Sequence, residues 1–236
     1  MTYYVDFDNQ TNDTWTMVVY QTLPQLIGLD SVAWKKTTAP RKGKTGVNWE
    51  IEYNVALANY KQTEGVGVYT ASQTLGTTLG KKWKVVFKDG IQQLKEDGDA
   101  EKLDQIVIKN ESKQFADIGV GMSGDASAYK RHVYSGSAGQ FLMTPTYHVG
   151  IFNDLTLGTV ISSNVIVGPS KLKFRNGMNK AVVTASIEDE NIVLTITYQN
   201  ALVANYEQVK TLSRSFGSEF NEVLDDKETA TKLQRY

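Results

Sequence analysis

The sequence predicts an all-β protein. It reads as a β-sandwich, with room for two similar β units sharing one core, and a C-terminal amphipathic helix. Three observations predict this. Along most of the chain apolar residues alternate with polar ones, the period-2 mark of half-buried strands. Turn residues interrupt these runs at short intervals and leave roughly 12–15 short strands, the pattern of sandwiches and barrels rather than βαβ units. Only the last segment changes to gaps of three and four.

Taken in order, Thr14–Gln21 (TWTMVVYQ) alternates and then runs apolar. Val47–Tyr60 reads as one long strand, with Trp49, Ile51, Tyr53 and Val55 on one face and Glu50 and Glu52 on the other. Val66–Ala71 is β-branched and aromatic. Trp83–Leu94 reads as a hairpin, because Asp89-Gly90 supplies the two residues that a type I′ turn needs at positive φ. Ile106–Ile108, Phe141–Met143, Tyr147–Phe152 and Val160–Val167 continue the style. In Ala181–Tyr198, Ile192, Leu194, Ile196 and Tyr198 alternate with Val193, Thr195 and Thr197 after a turn at Glu188-Asp189-Glu190-Asn191.

The domain reading is a sandwich over residues 1–204 and a helical tail over 205–236, packed on the sandwich or on a partner chain. Val209, Leu212, Phe216, Phe220 and Val223/Leu224 form one apolar stripe. Gly217 weakens the middle of this helix by about 1 kcal/mol relative to Ala. Two stretches also echo each other. Val66–Thr77 resembles Val149–Thr159, and Lys84–Gly90 resembles Lys171–Gly177, in the same order. A third similarity, Ile51–Gln62 with Ile196–Gln208, breaks that order. The echoes fit either a duplication or the recurrence of small β motifs.

Composition narrows the function classes. The 236 residues, 41% hydrophobic, can bury a substantial core. With 25 basic and 26 acidic residues the net charge is −1, which argues against a nucleic-acid partner. There is no cysteine, hence no disulfide, thiolate nucleophile or Cys-bound metal. No stretch is apolar enough to span a membrane as a helix. Met1–Asp8 lacks the basic and apolar regions of a signal peptide, so the expected location is cytoplasmic, or exported without a recognisable signal. The Asn-x-Ser/Thr triplets at Asn9, Asn12 and Asn110 would matter as glycosylation sites only in a secretory pathway.

No catalytic constellation emerges, and the chain is read as a non-enzyme without a cofactor. His132 and His148 are the only histidines, and no G-x-S-x-G elbow is present. Gly119-Val-Gly121-Met-Ser-Gly124 formally matches a dinucleotide fingerprint, but no βαβ unit surrounds it, so it reads as a glycine-rich turn or bulge. Asp97-Gly-Asp99 with Asp104 is the best acidic loop, short of the oxygens that calcium needs. Trp15, Trp49 and Trp83 read as core. Trp34, followed by Lys35-Lys36 and a loop with Pro40, Arg41, Lys42, Gly43 and Lys44, is less clearly buried. Trp34, Lys35 and Arg41 are therefore the candidate ligand-binding residues. The expected function is non-catalytic binding, of a saccharide or protein surface, or self-association. The alternatives are a membrane-active, pore-forming type of protein and, behind it, a hydrolase with scattered carboxylates.

Asn9-Gln-Thr-Asn-Asp-Thr-Trp-Thr-Met-Val-Val-Tyr-Gln-Thr-Leu-Pro24 resembles the start of the rhizosphere-expressed protein (RhiA) group of root-nodule bacteria. An Ala-Trp follows there, here Ala33-Trp34, and then a Trp-centred strand, here Trp49. Gly119–Gly124 and Thr144-Pro-Thr-Tyr147 are similar to later blocks of that group. The resemblance implies a bacterial-type β protein of unassigned activity, with no catalytic residues to carry over. The helical tail departs from it.

Overall fold

The computed structural model describes residues 1–23, 28–152, 155–161, 165–175 and 177–201. The helix expected over 205–236 lies outside the described residues. Among those, seventeen strands run in chain order: β1 Thr2–Asn9, β2 Trp15–Thr22, β3 Leu29–Ser31, β4 Lys35–Ala39, β5 Lys44–Glu50, β6 Tyr53–Thr63, β7 Val66–Gly76, β8 Lys81–Lys88, β9 Ile91–Asp99, β10 Gln105–Asn110, β11 Ala116–Met122, β12 Asp125–Val133, β13 Ala138–Leu142, β14 Thr146–Phe152, β15 Val165–Leu172, β16 Lys180–Glu188 and β17 Asn191–Gln199.

The strands form four sheets. Sheets β17-β16-β1-β5 and β15-β14-β2-β4 pack face to face as one half of the molecule. Sheets β13-β10-β8-β9 and β3-β12-β11-β6-β7 form the other half. Inward-facing residues on alternate positions, such as Val5 and Phe7 on β1 or Ile106 and Ile108 on β10, are fully buried. The long strand expected from Val47 to Tyr60 is two strands. β5 ends at Glu50, β6 begins at Tyr53 in the other half, and Ile51 is exposed between them. Ser123 holds this crossover: its hydroxyl accepts from Glu50 N (2.7 Å) and donates to Glu50 O (3.0 Å).

The two halves repeat one topology in a circularly permuted order. In one, β1 runs parallel to β16 and antiparallel to β5, and β16–β17 is a hairpin. In the other, β10 runs parallel to β8 and antiparallel to β13, and β8–β9 is a hairpin. In the second layers, β2 lies between β14 and β4 as β11 lies between β6 and β12. The continuous run β6–β13 thus corresponds to β14–β17 followed by β1, β2, β4 and β5. Hairpin turns match too. Asp89 and Gly90 have φ of 54° and 82°, and Asp189 and Glu190 have 47° and 67°, as a type I′ turn requires.

The sequence echoes do not mark this repeat. The first aligns β7 with β14, and the second aligns β8 with the end of β15 and the residues after it, which are not equivalent strands; part of each echo lies outside the described residues. A buried asparagine turn marks it instead. Asn9 ends β1 and Asn110 ends β10, both with no exposed surface. Asn9 Oδ1 accepts from Thr11 N (3.1 Å) and Thr11 Oγ1 (2.8 Å), while Nδ2 donates to Asp13 O, Ala39 O and Pro40 O. Asn110 Oδ1 accepts from Ser112 N (3.0 Å) and Ser112 Oγ (2.7 Å), while Nδ2 donates to Gln114 O and Val133 O. The Asn-x-Ser/Thr spacing at Asn9 and Asn110 is therefore an Asx turn that pins two sheets, not an acceptor displayed on a loop.

The halves meet at Trp34 and Gln21. Trp34 is 1% exposed and packs edge-on against Trp49, ring centroids 5.3 Å apart. Its indole N–H crosses to the other half and donates to Asp125 O (3.1 Å). Gln21 is fully buried and accepts from Ser127 Oγ (2.7 Å). Gly119 and Gly121 lie within β11. A Cβ at Gly119 would strike the Tyr129 ring, and one at Gly121 would strike the backbone of Asp125 and Ala126. The glycine motif thus serves close strand packing, and Ser123-Gly124 makes the turn.

Candidate binding groove

A groove of about 500 Å³ opens at one corner of the second half, between the β6–β7 and β8–β9 hairpins. It exists because β7 carries a bulge opposite Leu57 and Ala58, where Ser72 is the extra residue. Ser72 Oγ donates to Leu57 O (3.1 Å) and holds the bulge open. Gln73, next along, turns its Oε1 to accept from Leu94 N on β9 (2.6 Å) and ties the two hairpins together.

The lining is rich in amides and carries no charged side chain. Gln92 Nε2 is committed, donating to Ser112 Oγ and Phe115 O at 2.8 Å each. Asn59, Gln93 and Gln114 line the same groove with no side-chain hydrogen bond to the described residues. An amide both donates and accepts, so these three can pair with hydroxyl groups in either sense. Phe87 and Ile91, 46% and 59% exposed, flank the Asp89-Gly90 turn at the mouth. The groove therefore offers neutral polar groups beside an apolar face, at a size typical of small-ligand sites.

The sequence-predicted residues lie elsewhere and do not form one site. Trp34 is part of the core, contrary to the expectation that its basic neighbours leave it accessible. Strand geometry explains this: Trp34 points inward while Lys35 reaches out along the surface to pair with Asp125. Lys35 also lies 5.3 Å from the Trp34 ring centroid. Arg41 is exposed in the turn beyond the opposite end of β4. Of the three, only Trp34 and Lys35 come together, and their contact is structural.

Other candidates resolve similarly. Asp97 is bridged by Lys84 (2.6 Å) and Lys82 (3.0 Å), and Asp99 by Lys81 (2.8 Å). Among the described residues, no group of His, Asp or Glu converges as metal ligands. Hydrogen bonds from Lys84, then Lys82, hold the Asp97 carboxyl down at about 2, below its ordinary 3.8. A lowered folded-state value means that its stabilising contribution is present above pH 3.8 and is lost as pH falls through about 2. In an NMR titration the Asp97 carboxyl is expected to titrate near pH 2, and in Lys84→Ala to return toward 3.8. An unchanged value in the variant would remove the ion pair as the cause.

His148 stacks on Tyr20, ring centroids 5.2 Å apart, and burial holds its imidazole below the ordinary value. His132 sits at a positive φ of 51°, with its N–H bonded to Asp117 Oδ1 (2.8 Å) and its ring beside Phe115. Burial pushes the Tyr147 and Tyr129 hydroxyls up to about 12. Among the described residues no helix is long and apolar enough to cross a membrane. The groove residues escaped the sequence reading because glutamine and asparagine carry no motif. The available signal was Gln92-Gln93 directly after a predicted hairpin turn flanked by Phe87 and Ile91.

Comparison with known proteins gives one consistent result. A curated relative, "Protein RhiA" of Rhizobium leguminosarum bv. viciae, is 25% identical over 175 residues, covering 70% of this chain and 74% of the relative. The RhiA family model matches residues 1–196, from the first strand into β17, so the chain belongs to the RhiA family.

Proposed function

We propose that the protein is a non-catalytic binding protein whose corner groove takes a neutral, hydroxyl-rich ligand of the saccharide class. The observation that carries this reading is the charge-free lining, with three amides that make no side-chain hydrogen bond among the described residues, beside exposed Phe87 and Ile91. Amides pair with ring hydroxyls, and an aromatic face suits the C–H side of a sugar ring. A charged ligand would find no counter-ion there.

The test is a titration of the isotope-labelled protein with neutral oligosaccharides, gluco- and xylo-configured. The side-chain amide signals of Asn59, Gln93 and Gln114 are expected to shift. Phe87→Ala and Gln93→Ala are each expected to weaken binding about tenfold, equivalent to about 1.4 kcal/mol. Both side chains are surface groups, so the melting temperature should hold. Gln73 is left intact because it ties β7 to β9. Binding that maps elsewhere, or that neither variant weakens, overturns the reading.

A further inference from the structure

We propose that the outer edge of β17 is a strand-pairing surface for a second copy of this chain. Among the described residues β17 ends its sheet, and its only strand partner is β16. In a two-residue hairpin the residues flanking the turn form a hydrogen-bonded pair, here Glu188 and Asn191. Odd-numbered residues of β17 therefore bond inward to β16. The N–H and C=O groups of Ile192, Leu194, Ile196 and Tyr198 point outward at the edge.

The equivalent strand in the other half shows how an edge is closed. β9 carries Lys95, Glu96, Asp97 and Asp99, and its outward Leu94 N–H is capped by Gln73. Charges and plugs of this kind keep a strand edge from pairing with another chain. β17 has neither device. Its sequence, NIVLTITYQ, is uncharged, lacks proline and is rich in β-branched residues. No described residue caps the Leu194 N–H. Ile192, Leu194, Ile196 and Tyr198 face the core, yet all are only partly buried. At this corner, among the described residues, Lys173 N donates to the Tyr198 hydroxyl (2.8 Å) and joins β17 to the segment after β15.

A second β17 is the occupant that this edge fits. It brings no charge to desolvate and offers the same outward groups. Because only one of the two equivalent edges is open among the described residues, pairing closes at two chains around a twofold axis. A symmetric antiparallel pair centred on Thr195, the middle of the strand, puts each Thr195 opposite its counterpart as a non-hydrogen-bonded pair. Such pairs have Cα atoms about 4.5 Å apart, within disulfide reach.

The absence of cysteine makes the test direct. Full-length Thr195→Cys is expected to form a disulfide-linked dimer under mild oxidation. Ser135→Cys, in the exposed β12–β13 turn, serves as the control and should stay monomeric. Native mass spectrometry and light scattering of the unmodified chain at high micromolar concentration should give twice the chain mass. Thr195→Lys/Thr197→Lys should give a monomer with the same far-UV spectrum. An unmodified chain that stays monomeric overturns the proposal. So does a dimer that the lysine variant leaves intact, or linkage at Ser135→Cys as fast as at Thr195→Cys. A monomer whose Leu194 amide resists hydrogen exchange assigns the edge to another segment of the same chain and likewise overturns it.

Discussion

Asn110→Ala is expected to lower the unfolding free energy by about 2–4 kcal/mol, measured by urea denaturation. The substitution removes hydrogen bonds to Gln114 O, Val133 O, Ser112 N and Ser112 Oγ in one step. Asn110 and Ser112 are buried, so water cannot replace those partners freely. Asn9→Ala, at the equivalent turn, is expected to cost a similar amount, because it strips the same set from Thr11, Asp13, Ala39 and Pro40. Asn110→Asp separates this account from loss of packing. Its volume is nearly the same, but a carboxylate oxygen would face Gln114 O and Val133 O, which the amide reaches at 2.6 and 2.7 Å. Asn110→Asp should therefore be at least as destabilised as the alanine variant at neutral pH and recover on acidification, as the carboxyl protonates. Equal stability of Asn110→Asp and the unmodified protein would refute the donor role.

Trp34→Ala is the second large effect, with about 3–5 kcal/mol of stability lost. The cavity would open where the two halves meet, against Trp49 and Tyr147, and the hydrogen bond to Asp125 O would vanish. Lys35→Ala removes a surface ion pair and should cost no more than about 1 kcal/mol. The pair of measurements decides between two roles for this segment. A core role predicts a large loss at Trp34 and a small one at Lys35. A ligand-contact role, the expectation from sequence, predicts two stable proteins with impaired binding. A Trp34→Ala chain that melts with the unmodified protein would return Trp34 to the list of binding residues.

Much of the architecture was legible because strands report their burial locally. Alternation placed β2, β8, β9, β16 and β17 within a few residues, and Asp89-Gly90 announced its turn through the φ it needs. Where the reading failed, the deciding contact was distant. Trp49 to Val55 alternates across the break, yet Ser123, far along the chain, holds β5 and β6 apart there. The groove is a similar case. Its lining comes from four separate segments of the chain, and glutamines have no spacing rule that would nominate them.

Local chemistry thus sets which residues become strands and where hairpins turn, because period and turn conformation are properties of neighbouring residues. Pairing across the chain sets everything that joins them. The N- and C-terminal strands complete one half around β1 and β16 while the middle of the chain builds the other. Two segments of nearly unrelated sequence occupy equivalent corners, one carrying the amide groove and the other an uncharged edge strand among the described residues. Equivalence of this kind rests on backbone hydrogen bonds and inward volume, which many side-chain sets satisfy. Similarity of sequence pointed to the wrong strand pairs, and only the register of the sheets revealed the right ones.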